Sequence, residues 1–306
     1  EIRDGEFITV IGTNGSGKST LLNVVAGAVV PDSGTIRAGE EDVTGQRDFQ
    51  RARFVSRVFQ NPFMGTAPGM TIAENLLLAY LRGQGHYPRV SLDKKRLAFF
   101  RERVAELEMG LEDRLDTVIG TLSGGQRQAV SLLMAVIREP EVLLLDEHTA
   151  ALDPRSAAQV IALTKTFIER GRLTAFMVTH SMGQALDLGN RTVMMHRGRI
   201  IDDIPEREKR RLTVDDLLDK FDDVRKAEKL TAEMIEQLRA AYPDFLYSTS
   251  LVGANVVKGS GMPPASLVEA ADYVLLHGNG TRPPQLLAAI EAVKAMGIWL
   301  EVTTLL

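Results

Sequence analysis

An α/β fold built on a mostly parallel sheet, with a helical insert, is what the sequence predicts, and three observations carry it. Apolar runs suited to buried strands occur at 7–11, 142–145 and 173–178. Segments with helical spacing of apolar residues alternate with those runs. A glycine-rich turn, a pair of acids and a histidine follow directly on them, at the strand C-termini where parallel sheets collect their polar groups.

Composition narrows the class. The chain of 306 residues is 44% apolar and 25% charged, enough to bury a core in more than one domain. Thirty-six basic against 40 acidic residues give a net charge of −4 and a pI near 5.8, so no overall basic surface invites nucleic acid. There is no cysteine, which excludes a disulfide framework. The longest apolar candidate, 129–137, falls short of the roughly 18 residues a membrane span needs and contains a serine.

Taken in order, Phe7 to Ile11 reads as a strand, and Leu21 to Val25 as the body of a helix that Gly27 and the turn Pro31-Asp32-Ser33-Gly34 close. Thr35 to Arg37 and Arg53 to Phe59 read as strands, with Gln60 ending the second. Thr71 and Glu74 form a capping box, and Leu97, Phe100, Val104 and Leu107 repeat at helical spacing, so the section from about 70 to 122 is a helical insert. Ser123-Gly124-Gly125-Gln126 is a second capping box ahead of the apolar helix Val130 to Ile137. Val142 to Leu145 is a buried strand ending in Asp146-Glu147, and Asp153-Pro154 is an N-cap with proline at N1 of the next helix. Leu173 to Val178 is a strand running into Thr179-His180, and 192–196 with 199–201 reads as a hairpin.

The run Gly12-Thr13-Asn14-Gly15-Ser16-Gly17-Lys18-Ser19-Thr20 fits G-x-x-x-x-G-K-[ST] between strand and helix. Its chemistry suits a nucleoside triphosphate. Glycines let backbone N–H groups curl around phosphate oxygens, the helix N-terminus favours the same charge, Lys18 can neutralise the β and γ phosphates, and the Ser19 hydroxyl can ligate Mg²⁺.

With Gln60, Leu122-Ser123-Gly124-Gly125-Gln126, Asp146-Glu147, Ala151-Leu152-Asp153 and His180, this run resembles the ATP-binding cassette family in order and approximate spacing, over residues 1 to about 220. The resemblance implies a P-loop NTPase whose residues Asn14, Gly15, Ser16, Gly17, Lys18, Ser19 and Thr20 are the Walker A loop and Gln60 the Q-loop. It makes Ser123, Gly124, Gly125 and Gln126 the signature, Asp153 the D-loop and His180 the switch histidine. Asp146, with Ser19 and Gln60, is then expected at the Mg²⁺, and Glu147 to accept a proton from the attacking water, with Lys18 and His180 beside the γ-phosphate. It further implies ATP as substrate and a head-to-tail dimer in which each signature closes over the nucleotide of the other copy. Integral-membrane permease subunits contacting the insert, a solute-binding protein, and a place on the cytoplasmic face of the membrane complete the expectation. The stretches 146–154 and 185–191 resemble importer subunits for small solutes, amino-acid-like ones among them. The rival reading is a soluble cassette protein acting on nucleic acid or ribosomes.

Two departures stand out. The sequence starts close to its first core strand, so the antiparallel β part is read as truncated and no aromatic residue precedes the phosphate loop to stack on adenine. His148 stands where the family usually has proline, and no catalytic role is assigned to it.

The nucleotide-binding domain is placed at 1–228, and a charged stretch at 222–229 reads as a linker. Residues 229–306 alternate between strand-like and helix-like patterns, with strands expected at Phe245 to Leu251, Tyr273 to Leu276 and Ile298 to Thr303. Tyr273 to Leu276 running into His277-Gly278-Asn279-Gly280 resembles part of a TIM-barrel, glycosidase-like enzyme. A barrel typically takes about 250 residues, so this segment cannot close one. A fragment or fusion, with a tail poorly packed or packed against the cassette, is the reading of that part.

Overall fold

The computed structural model describes residues 1–83 and 92–224, and the backbone of four strands at 246–249, 254–257, 273–277 and 299–303. It divides into two compact units, Glu1–Val214 and Asp215–Leu306.

The first unit is organised on a six-stranded sheet in the order β4-β5-β6-β1-β7-β8. Its strands are β1 (Phe7–Gly12), β4 (Val55–Val58), β5 (Val142–Asp146), β6 (Thr174–Val178), β7 (Arg191–His196) and β8 (Arg199–Pro205). All neighbours pair in parallel except β7 and β8, which form the expected hairpin. That hairpin runs on to Pro205, with a register shift between Met194 and Met195. The side-chain alternation of the strands sorts the core onto two faces. Leu143, Leu145, Ala175 and Met177 pack on one side, and Leu144, Phe176, Val178, Ile8 and Val10 on the other.

Helix α1 (Lys18–Ala26) covers the second face, while α5 (Gly124–Val136) and α6 (Pro154–Gly171) cover the first. The insert contributes α3 (Ile72–Leu81) and α4 (Lys94–Ala105), whose Leu76, Phe100 and Val104 are buried in the same cluster as α5. Both capping boxes form as read. Thr71 Oγ1 accepts from Glu74 N at 3.2 Å while Glu74 Oε2 accepts from Thr71 N at 2.7 Å. The antiparallel part is small: β2 (Arg37–Ala38) and β3 (Glu41–Asp42) pair as a two-stranded ribbon, so the strand expected at Thr35 to Arg37 begins two residues later. Ile36 instead bonds Thr44 and Val43, which turns the chain before the ribbon starts.

One buried arginine joins these parts. Arg51, in the short helix α2 (Asp48–Arg51), is 1% exposed and donates to Val24 O and Val25 O at 2.8 Å and to Val43 O at 2.6 Å. It therefore places a cation on the last-turn carbonyls of α1, where the helix dipole favours one.

Short helices α7 (Met182–Asp187) and α8 (Glu206–Lys209) complete the first unit. A helix over 214–224 starts at the last residue of the first unit, and in the second β9 (Leu246–Thr249), β10 (Ala254–Val257), β11 (Tyr273–His277) and β12 (Trp299–Thr303) form a four-stranded sheet in the order β12-β11-β10-β9. β10, β11 and β12 are parallel and β9 is antiparallel to β10. The strands expected near 246, 273 and 299 are present; β10 was not expected. Of the residues on which the barrel resemblance rests, Tyr273 to His277 form β11, whereas 278–280, Asn279 among them, and the intervening helix-like segments lie outside the described residues.

Candidate active site

The phosphate loop is shaped by its neighbours as much as by its glycines. It leaves β1 at Gly12, where a Cβ would fall 2.3 Å from Met195 O, so only glycine lets the loop lie against β7. Gly17, the N-cap of α1, has φ +96°, a left-handed conformation that side chains rarely adopt. From behind, Gly198 N in the β7–β8 turn donates to Ser16 O at 2.9 Å, and Thr13 Oγ1 lies 3.4 Å from His196 Nδ1.

Lys18 is folded into this loop and buried, its Nζ donating to Gly12 O at 2.8 Å and Thr13 O at 3.0 Å. Burial pushes its pKa down, and the fields of Glu147 and Asp146 act in the opposite direction. The three groups thus share one electrostatic environment. Ser19 and Thr20, one step along α1, are exposed.

β5 delivers the acids. Asp146 ends the strand, half-buried, with its Oδ2 accepting from Arg57 Nη2 at 2.5 Å. Glu147 follows at φ +46°, a left-handed backbone for a residue with a long side chain, held by its own N–H on Val178 O at 3.0 Å. Such a conformation costs on the order of 1 kcal/mol and persists only where its surroundings enforce it. The turn aims Glu147 Oε1 at His180 Nε2, 2.6 Å away, with the carboxylate side chain 13% and the imidazole 47% exposed. Residues 33 apart in sequence, each read separately as functional, meet here.

His148 points elsewhere. It is 2% exposed and its Nε2 lies 3.0 Å from Thr164 Oγ1 on α6. The Thr164 hydroxyl already donates to Val160 O, so its oxygen accepts from Nε2–H. Burial lowers the His148 pKa to about 4. The unfolded chain protonates near 6.5, so this contribution to stability is complete above about pH 6.5 and lost as pH falls toward about 4. By about pH 5 the loss should reach on the order of 2 kcal/mol. Thermal denaturation against pH checks it: a His148→Gln variant should lack this part of the slope, and parallel profiles would assign the acid sensitivity to other groups.

A sequence profile described as ABC transporter matches residues 1–150. The tyrosine transport ATP-binding protein of Clostridioides difficile is 43% identical over 223 residues, which are 72% of this chain and 88% of that protein. The chain belongs to the ABC transporter ATP-binding family. Further relatives include the thiamine import ATP-binding protein ThiQ of Photobacterium profundum, 34% identical over 65% of this chain and 77% of that one. Among solved structures, a dimeric ATP-binding cassette in a post-hydrolysis state bound to ADP and Pi is 27% identical, with a TM-score of 0.57 over 67% of this chain and 88% of that chain. A nucleotide-free cassette is 26% identical, with a TM-score of 0.58 over 68% of this chain and 83% of that chain. The protein is accordingly an ATP-binding cassette ATPase.

The signature is built at the N-terminus of α5. Ser123 Oγ accepts from Gln126 N at 3.2 Å, and Gln126 Oε1 accepts from Ser123 N at 3.3 Å. Gly125 is packed so closely on α6 that a Cβ would lie 2.6 Å from Ser156 Oγ. Asp153 caps that same α6 through Arg155 N and Ser156 N at 3.1 and 3.0 Å; these bonds, the Ser156 side chain's first, hold its carboxyl below the usual range. The signature and the D-loop residue therefore share one corner, with Ser123 and Gly124 exposed. Gln60 is exposed just beyond β4.

Three further residues emerge only from the fold. Arg127 donates to Ile119 O, Gly120 O and Leu122 O at 2.8–3.2 Å and stacks its guanidinium 3.8 Å from the centroid of Phe63. Gln128, fully buried, donates to Phe59 O at 3.3 Å. Both tie α5 to the segment around Gln60. Arg57 is the third. A charged residue beside the signature, or on the strand before Gln60, is the signal that could have marked Arg127 and Arg57; Gln128 carries no such signal.

Proposed function

We propose that this ATPase powers the import of a small, amino-acid-like solute, as a head-to-tail dimer beneath separate permease subunits on the cytoplasmic face of a membrane. A solute-binding protein delivers the cargo. The observation that carries the reading is the 2.6 Å contact between Glu147 and His180 at the mouth of a phosphate loop. Support for transport comes from the relatives, which are described as tyrosine transport and thiamine import subunits. No helix among the described residues is long and apolar enough to cross a membrane.

The chain's own residues supply the hydrolytic chemistry. Lys18 turns from Gly12 O and Thr13 O toward the β and γ phosphates, and the N–H groups of 14–20 surround them. Glu147 takes the proton of the attacking water on its free carboxylate oxygen, since the other is held by His180 Nε2–H. His180 thereby orients the base as well as facing the γ-phosphate. Ser19, Gln60 and Asp146 offer a hydroxyl, an amide and a carboxylate oxygen, a hard-donor set that fits Mg²⁺. Among the described residues no three His, Cys, Asp or Glu cluster as a metal cage, which matches an ion that relies on phosphates and water for its remaining ligands. Bound there, Mg²⁺ would offset charge developing on the phosphates.

The exposed helix N-terminus at Ser123 and Gly124 is a second anion site, while the phosphates of ATP bound to this chain are already surrounded by its own loop. It is assigned to the nucleotide of a second copy. The permease face is assigned to the exposed apolar residues Phe63, Met64 and Leu78 on the Q-loop segment and α3.

Co-expression with a genomically neighbouring permease tests the proposal. The cassette should co-purify with it and drive uptake of labelled tyrosine in preference to thiamine. Met64, 70% exposed, lies outside the hydrolytic group. Met64→Asp should keep permease-free hydrolysis and lower co-purification and uptake about tenfold. Full uptake by Met64→Asp would remove this face from the interface, and absence of any permease association would overturn the transport reading.

A further inference from the structure

The group that holds Asp146 is Arg57, and nothing in the hydrolytic chemistry uses it. In the β4–β5 register Arg57 stands opposite Leu144, so its long side chain reaches diagonally along the same face to Asp146, two residues on. One end of the guanidinium donates to Asp146 Oδ2 at 2.5 Å and the other to Asn23 Oδ1 at 2.6 Å. The plane is further fixed over the Phe59 ring, 4.8 Å from its centroid. Its side chain is 15% exposed, as is that of Asp146.

Asn23 lies four residues after Ser19 on α1, so the two side chains occupy the same helix face one turn apart. Arg57 is therefore a brace between the helix face that carries the Ser19 hydroxyl and the strand end that carries the Asp146 carboxylate. The brace engages one oxygen of Asp146 and leaves the other available.

We propose that Arg57 is a positioning residue that sets the separation and orientation of Ser19 and Asp146 and so tunes the response of the ATPase to Mg²⁺. The inference rests on the assignment of Asp146 to the metal. A guanidinium anchored at both ends cannot swing aside as a competing cation would, so its effect is to fix the carboxylate. Loss of an outer partner that orients a metal-binding carboxylate typically weakens metal affinity by about 10- to 100-fold.

The test measures affinity for a fluorescent ATP analogue in EDTA and across a Mg²⁺ titration, for the whole chain and for Arg57→Met. Arg57→Met should bind the analogue in EDTA within about twofold of the parent, while the Mg²⁺ concentration at half-effect rises by about tenfold. Asn23→Ala, which leaves the ion pair in place, should move the half-effect in the same direction by less, and keeps the test decisive if Arg57→Met fails to fold. Arg57→Lys keeps the charge without the two-ended brace and should not rescue. An unchanged half-effect in Arg57→Met and Asn23→Ala, or an equal loss in EDTA, would overturn the brace. Parent protein whose nucleotide affinity ignores Mg²⁺, with Asp146→Asn behaving alike, would instead overturn the metal assignment on which it rests.

Discussion

Replacing Glu147 by glutamine should lower ATP turnover by about 10²- to 10⁴-fold, the usual worth of a positioned general base, while ATP binding persists. The amide is nearly isosteric and can still accept from His180 Nε2–H, so the 2.6 Å contact and the left-handed turn at φ +46° have no steric reason to change. What disappears is the capacity to take a proton. With hydrolysis blocked and binding intact, ATP should hold two copies together, and size-exclusion chromatography with ATP should show a dimer that the parent shows only transiently. Turnover within a few-fold of the parent would exclude Glu147 as the base. His180→Ala offers an internal comparison, because it frees the carboxylate without removing it and should reduce turnover by a smaller factor.

Lys18→Ala is the second large effect, and it acts on binding. Lys18 Nζ now rests on Gly12 O and Thr13 O, so its removal leaves these two carbonyls without that donor, a stability cost that the nucleotide-free protein also bears. A charge-assisted bond to phosphate contributes about 1.5–3 kcal/mol, so ATP affinity should fall by about 10- to 100-fold. Titration calorimetry with ATP measures it. Nucleotide-free melting within a few degrees of the parent separates a lost phosphate contact from a damaged fold, and unchanged affinity would remove Lys18 from the phosphate site.

What could be read from sequence was local. The capping boxes at Thr71 and Ser123 depend on residues three apart, and the buried strand at Val142 to Leu145 on a continuous apolar run, so both appear in the chain as they appear in the fold. The phosphate loop was legible because its glycines serve backbone shapes that few other residues tolerate. Distant partnerships were not legible. Arg51 reaches back to Val24, Arg57 reaches forward to Asp146, and His148 bonds Thr164 on the next helix, each joining positions that no periodicity relates. Long side chains meet carbonyls, carboxylates and hydroxyls wherever the fold brings them, and only the packing of β4, β5, α1 and α6 determines which. The left-handed turn at Glu147 was hidden for a related reason: a glutamate gives no local sign of positive φ, and the turn is held by Val178 O on the neighbouring strand. β10 escaped because its run, Ala254-Asn255-Val256-Val257, is only four residues long and is interrupted by Asn255.

The β7–β8 turn touches no phosphate in any of this chemistry, yet Gly198 grips Ser16 O and Met195 O fills the space beside Gly12. The phosphate loop therefore has its shape before any nucleotide arrives. Less backbone conformational entropy remains to be lost on binding than in a loop that must first fold, and the Lys18 side chain is the part left to move. The hairpin at the far edge of the sheet thus acts as a mould that keeps the loop backbone in one shape between one nucleotide and the next.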